Sequence, residues 1–310
     1  MKALTLGLAL LAAPAQAQSA DPAGPGPIGA PAGSGFYPAI AEARADAAGY
    51  TLYRPATLPN ARLPLVLWGN GACRDNGLSA SHFLREIASH GYIVVANGAP
   101  RRELPVAQEI APMPTRVPTP AERTPDETSV AQLLAAIDWA ERANATPADP
   151  LYGRVDSDRI AVMGHSCGGL QALAAGADPR IDTVVAFASG VYERPGSGRS
   201  GVTIRKADLA RLHTPVAYII GGPEDIAYPN AIDDFERIDH VPVFLGNLPI
   251  GHMGTFWLAS GGDWARVGSA WLDWQLKHDS QAGAWFVGED CRLCTTHGWS
   301  VQRKQFPEFP

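Results

Sequence analysis

The chain has 310 residues, 46% hydrophobic and 18% charged, with 25 Lys+Arg against 31 Asp+Glu for a formal net charge of −6. This composition excludes disordered, collagen-like and coiled-coil proteins. A mildly acidic chain with no Lys/Arg block offers phosphates no electrostatic funnel, so no nucleic-acid partner is expected.

Met1-Lys2, the apolar run Ala3 to Ala13 and Pro14-Ala15-Gln16-Ala17 have the three parts of a secretory signal peptide, a cationic start, a short apolar stretch and an A-x-A cut site. Residues 1–17 are therefore read as a signal, which places the mature protein outside the cell or in the periplasm. The apolar run is too short to span a bilayer and no later one is longer, so no membrane span is expected. Residues 18–35 are rich in Pro, Gly and Ala and read as a flexible leader. Residues 36–310 read as one domain.

Within that domain, short apolar runs alternate with helical patterns. The runs are Leu65 to Trp68, Ile93 to Ala96, Ile160 to Met163, Thr183 to Ala188, Val216 to Ile220 and Val241 to Leu245. Continuous apolar strands separated by helices predict an α/β fold, a mostly parallel central sheet with helices on both faces. Phe83, Leu84 and Ile87 make one helical stripe, closed by Gly91. Val130, Leu133, Leu134 and Ile137 make another, with Asp126 or Thr128 as its cap. Between these two stripes, residues 98–127 are Pro-rich and carry no period, so they read as a long loop. It leaves the carboxyl end of a strand, the edge where open α/β sheets bind ligands, and either shapes a cleft there or is a solvated excursion. Trp264, Val267, Trp271 and Trp274 mark a last helix that packs on the core.

The segment Arg159 to Leu173 carries the chemistry. A β-strand runs into Gly164-His165-Ser166-Cys167-Gly168 and then into a small-residue helix, so G-x-S-x-G stands where a nucleophile elbow requires it. A serine at such a turn projects beside a helix N-terminus that favours developing negative charge. It needs a base and an orienting carboxylate, which in this topology follow in the order Ser, Asp/Glu, His past the carboxyl ends of later strands. Asp225 and His252 fill those places, with Glu224 and Asp233 as fallback acids. Asp182, Asp208, His213 and His240 precede strands and belong to the opposite edge. His165 is read as support for the elbow, not as the base. An oxyanion hole would take the N–H of Cys167 and one from the loop Gly69-Asn70-Gly71-Ala72-Cys73, with Ala72 as the second donor. Asn70, Gly71, Phe256 and Trp257 are candidate substrate-binding residues.

Through the Gly-Asn-Gly-Ala-Cys loop, the Gly-His-Ser-Cys-Gly-Gly elbow, the Gly-Gly-Pro-Glu-Asp-Ile-Ala stretch and the Gly-His-Met-Gly loop, the sequence resembles α/β-hydrolases. It is most similar to secreted esterases of the cutinase-like, polyester-hydrolase-like and dienelactone-hydrolase-like kind. The resemblance implies hydrolysis of small or polymeric carboxylic esters by a serine esterase without a cofactor. Two departures stand out. Asn70-Gly71-Ala72 occupies the place where polyester hydrolases carry His-Gly-aromatic, and Ser166 stands where dienelactone hydrolases carry cysteine. The Tyr192 to His213 connection is too short for a large lid. Amide or lactone hydrolysis, or acyl transfer to an alcohol, would use the same triad, and a non-catalytic secreted binding protein is the reading from another class. A monomer is expected.

Two N–H groups aimed at one oxygen draw their backbones together, which predicts a Cys73–Cys167 disulfide against free buried thiols. Cys291 and Cys294, with His297 nearby, show three of the four ligands that structural zinc normally takes, so a local disulfide is expected and no metal. Asn144-Ala-Thr146 fits a glycosylation acceptor, although Pro147 follows.

Overall fold

A computed structural model describes residues 26–101, 127–194 and 202–306. The signal segment, residues 18–25 of the leader, and 102–126 of the long loop lie outside the described residues. The strands are β1 (Ala39–Ala43), β2 (Tyr50–Pro55), β3 (Leu63–Gly69), β4 (Ile93–Asn97), β5 (Val155–His165), β6 (Thr183–Phe187), β7 (Val216–Ile220), β8 (Val243–Asn247) and β9 (Ser300–Lys304). They form one sheet in the order β1-β2-β4-β3-β5-β6-β7-β8-β9. From β4 to β8 neighbouring strands are parallel, and β1, β2 and β9 add antiparallel edges. The helices are α1 (Ser81–Ser89), α2 (Val130–Ala145), α3 (Cys167–Ala175), α4 (Tyr228–Arg237), α5 (Gly262–Lys277) and the single turns α6 (Ser280–Gly283) and α7 (Arg292–Thr295).

Alternation along β5 shows how the layers are made. Ile160 and Val162 point into a core shared with α2, α3 and α4, whereas Ala161 and Met163 point into one shared with α1 and α5. Both faces of the central strands are therefore dry, as the continuous apolar runs predict. Trp264, Val267 and Trp271 are buried in the second core. No separate lid domain occurs among the described residues, and none of their helices is long and apolar enough to cross a membrane.

Three local expectations are corrected. The last parallel strand is displaced by two residues toward the C-terminus. The cap of α2 is Ser129, whose side chain accepts the Gln132 N–H, because Thr128 is engaged elsewhere with the Cys73 carbonyl. Finally, the leader is seated on the domain from residue 27 onward, not free to Gly35. Arg85 donates to the Pro27 carbonyl at 2.8 Å, the Ser34 N–H donates to Glu86 at 2.7 Å, and Ala32 bridges to Ala39. Arg85 and Glu86 are each only 2% exposed, and these bonds add to the partners that α1 and its end supply, Ser81 for Arg85 and His90 for Glu86.

Candidate active site

The site grows from the end of β5. Strand geometry stops at His165, and Ser166 takes φ 53° and ψ −115° before α3 begins at Cys167. That conformation is costly for a residue with a side chain, and two bonds hold it. Ser166 N–H donates to the Phe187 carbonyl at 2.9 Å, and Ser189 Oγ donates to the Ser166 carbonyl at 2.7 Å. The turn also demands close backbone approach. A Cβ on Gly168 would lie 2.0 Å from the Gly69 carbonyl oxygen, which explains a glycine two residues past the serine.

Asp225 and His252 follow β7 and β8, whose carboxyl ends lie on the same edge of the parallel sheet as that of β5. The loops carrying them are packed together, with Gly251 N–H donating to the Gly221 carbonyl at 2.6 Å. The Ser166 hydroxyl is 3.0 Å from His252 Nε2, and His252 Nδ1 is 2.7 Å from Asp225 Oδ1. A carboxylate can only accept, so Nδ1 carries a proton and Nε2 is left to accept from the serine. Asp225 is 1% exposed and also accepts the Gly221 and Ala227 N–H groups, both at 2.9 Å. Burial alone would raise its pKa. The His252 hydrogen bond and the Ala227 and Gly221 amides outweigh it and hold the carboxyl below its ordinary range, hence ionised. Chemically the arrangement can remove a proton from the Ser166 hydroxyl and stabilise the resulting imidazolium. The fallback acids stand apart, since Glu224 is exposed and Asp233 pairs with Lys206 at 2.5 Å and Arg237 at 2.9 Å.

The loop after β3 lies against the elbow. Cys73 and Cys167 form a disulfide with a Cα–Cα distance of 5.2 Å. Ala72 and Cys73 both take left-handed backbone conformations, with φ 54° and 51°. Both ends of the described part of the long loop return here, through Arg101 on Asp75 at 2.5 Å and a bridge between Arg74 and Glu127.

Two of the four candidate substrate-binding side chains are excluded by burial. Asn70 is fully buried, where it accepts from Trp68 Nε1 at 2.9 Å and donates to the Asn97 carbonyl, so it locks the loop from beneath. Phe256 is 3% exposed and packs among Trp68, Phe83, Phe187 and Trp264. Gly71 and Trp257 remain partly exposed. Sequence reading missed Ile226 and Ile250, which are 54% and 41% exposed on the loops that carry Asp225 and His252. The available signal was an aliphatic residue next to Asp225 and another two residues before His252.

A protein-family model described as PETase: PET hydrolase-like matches residues 117–197, a span that includes the elbow and β6 but neither Asp225 nor His252. No curated protein matches the chain. The family match falls on the strand, serine and helix that the sheet places at its centre, so over that span the chain is similar to PET hydrolase-like proteins, within a single mostly parallel sheet of the α/β class.

Proposed function

We propose that this chain is a secreted serine hydrolase that cleaves carboxylic esters through an acyl-Ser166 intermediate. The observation that carries the reading is the continuous hydrogen-bonded series from Ser166 Oγ through His252 to Asp225. In the first step His252 Nε2 takes the hydroxyl proton as Oγ attacks the ester carbonyl. The tetrahedral oxyanion is received by the Ala72 and Cys167 N–H groups, and neither amide is used by a loop or turn carbonyl among the described residues. Collapse expels the alcohol, which receives the proton from His252. Water then repeats the sequence on the acyl-enzyme, releasing the acid and restoring Ser166.

Ile226, Ile250 and the half-buried Trp257 support an ester with an apolar portion, in keeping with the name of the matched family. The signal-like residues 1–17 and two disulfides support an oxidising destination. Hydrolysis of p-nitrophenyl butyrate by the wild type and Ser166→Ala tests the reading. Turnover is expected to fall to the residue supported by binding and the oxyanion hole, and undiminished turnover would overturn the assignment.

A further inference from the structure

His165 is the last residue of β5, and its ring sits at the meeting point of three loops. It is 7% exposed. Its Nε2 is 2.9 Å from the backbone carbonyl oxygen of His252, the residue whose side chain faces Ser166. Because that oxygen can only accept, Nε2 bears the proton and Nδ1 is bare. The bare nitrogen faces the loop after β3, where a Cβ on Gly71 would lie 2.6 Å from it. The ring centroid is 5.1 Å from that of His252 and 4.8 Å from that of Phe256, which closes off the remaining side. The groups around it that bear on its charge are His252, its carbonyl and Asp225. Burial, and after it the neighbouring His252, push its pKa down to about 3, against the weaker opposing pull of that carbonyl and Asp225. The imidazole is thus a fixed, neutral donor throughout the range in which His252 must work as a base.

Among the described residues the His252 carbonyl receives no loop or turn N–H, so the His165 ring is the donor that fixes this peptide group. We infer that His165 is a positioning residue. It holds the His252 peptide so that the imidazole reaches Ser166, and it sets how closely the Gly71 loop approaches the elbow. This inference rests on the proposed roles of Ser166 and His252. Neutrality is part of the device, since a second positive charge about 5 Å from an imidazolium would oppose its formation.

Two replacements separate the bond from the volume. His165→Gln retains an N–H₂ near the Nε2 position, whereas His165→Phe keeps a planar ring and loses the donor. On p-nitrophenyl butyrate, His165→Phe is expected to lose about 10- to 100-fold in kcat, the scale of a misplaced catalytic group, with KM within about twofold. His165→Gln should recover to within about threefold of wild type. The downfield proton resonance of His252 Nδ1–H should broaden or vanish in the Phe variant and return in the Gln variant, a readout that needs no turnover. Should His165→Phe fail to fold, His165→Asn, whose amide ends short of the Nε2 position, is expected to show the same kcat loss and spectral change. Unchanged kcat without the donor, equal losses in Gln and Phe, or a change confined to KM would each overturn the inference. Retained activity in Ser166→Ala would instead overturn the reading of the site and leave the resonance test of His165 standing.

Discussion

The two disulfides occupy regions that use the same bond for different ends. Cys73–Cys167 joins residues 94 apart and ties the loop after β3 to the residue following Ser166, where three non-glycine residues, Ala72, Cys73 and Ser166, have positive φ. Cys291–Cys294 joins residues 3 apart in a turn already fixed by its surroundings. There Leu293 N–H donates to the Trp285 carbonyl at 3.1 Å, and Trp274 stacks on Phe286 and Phe306. By loop closure alone the first bond restricts the unfolded chain by about 5 kcal/mol and the second by about 1.5 kcal/mol. The comparison shows that at the rim a covalent tie maintains strained backbone beside the reacting groups, whereas at the C-terminal cap aromatic packing does most of that work.

Substitutions at the rim should therefore separate chemistry from stability. The largest effect is expected for Ser166→Ala, a loss on the order of 10⁶ in kcat if the three groups act as a unit, with little change in Tm. Asp225→Asn should cost about 10⁴ in kcat, because the amide selects the wrong His252 tautomer. It should also lower Tm by a few degrees, because Gly221 and Ala227 donate to different oxygens of Asp225 and an amide keeps only one of them.

The disulfide pair sharpens the contrast directly. Replacing Cys73 and Cys167 together by serine should lower Tm by about 10 °C and kcat by about 10²-fold, since the oxyanion loop loses its tether. The same change at Cys291 and Cys294 should lower Tm by only about 3 °C and leave kcat within about twofold. Equal kinetic effects from the two double variants would break the comparison.

A separate effect concerns pH. His165 has a folded pKa of about 3, below its ordinary value of about 6.5. The unfolded chain therefore binds this proton first as pH falls. The stability associated with the neutral ring is complete above about pH 6.5 and is lost progressively toward pH 3. Urea unfolding across that window should show a steeper acid decline in wild type than in His165→Gln. Parallel curves would contradict a buried neutral ring.

What the sequence made legible follows from which interactions are local. The parallel strands β3 to β8 are buried on both faces and read as apolar runs, and the elbow is a contiguous motif in its required context. Asp225 and His252, to which the proposal gives the acid and base roles, could be picked out because each follows the carboxyl end of a strand on the same edge as β5. By contrast, β9 is the polar run Ser300–Lys304 with an exposed pattern, and its pairing with β8 is distant in sequence, so no periodic signal marks it. The strands β1 and β2 mix Ala, Glu and Arg at the other edge and were equally silent. The seating of residues 27–35 depends on Arg85 and Glu86, which look like a solvated helix face until the leader covers them. Asn70 and Phe256 were misplaced for a related reason, because proximity to a motif does not reveal whether a side chain points outward or into the core.

The central claim is that the Ser166 hydroxyl is the group made nucleophilic by His252. Treating the protein with diethyl p-nitrophenyl phosphate and mapping the adduct by peptide mass tests it directly. A single diethylphosphoryl group on the peptide containing Ser166, formed far more slowly in His252→Ala, is the predicted result. Complete loss of esterase activity with Ser166 unmodified, or labelling as fast in His252→Ala as in wild type, would contradict it.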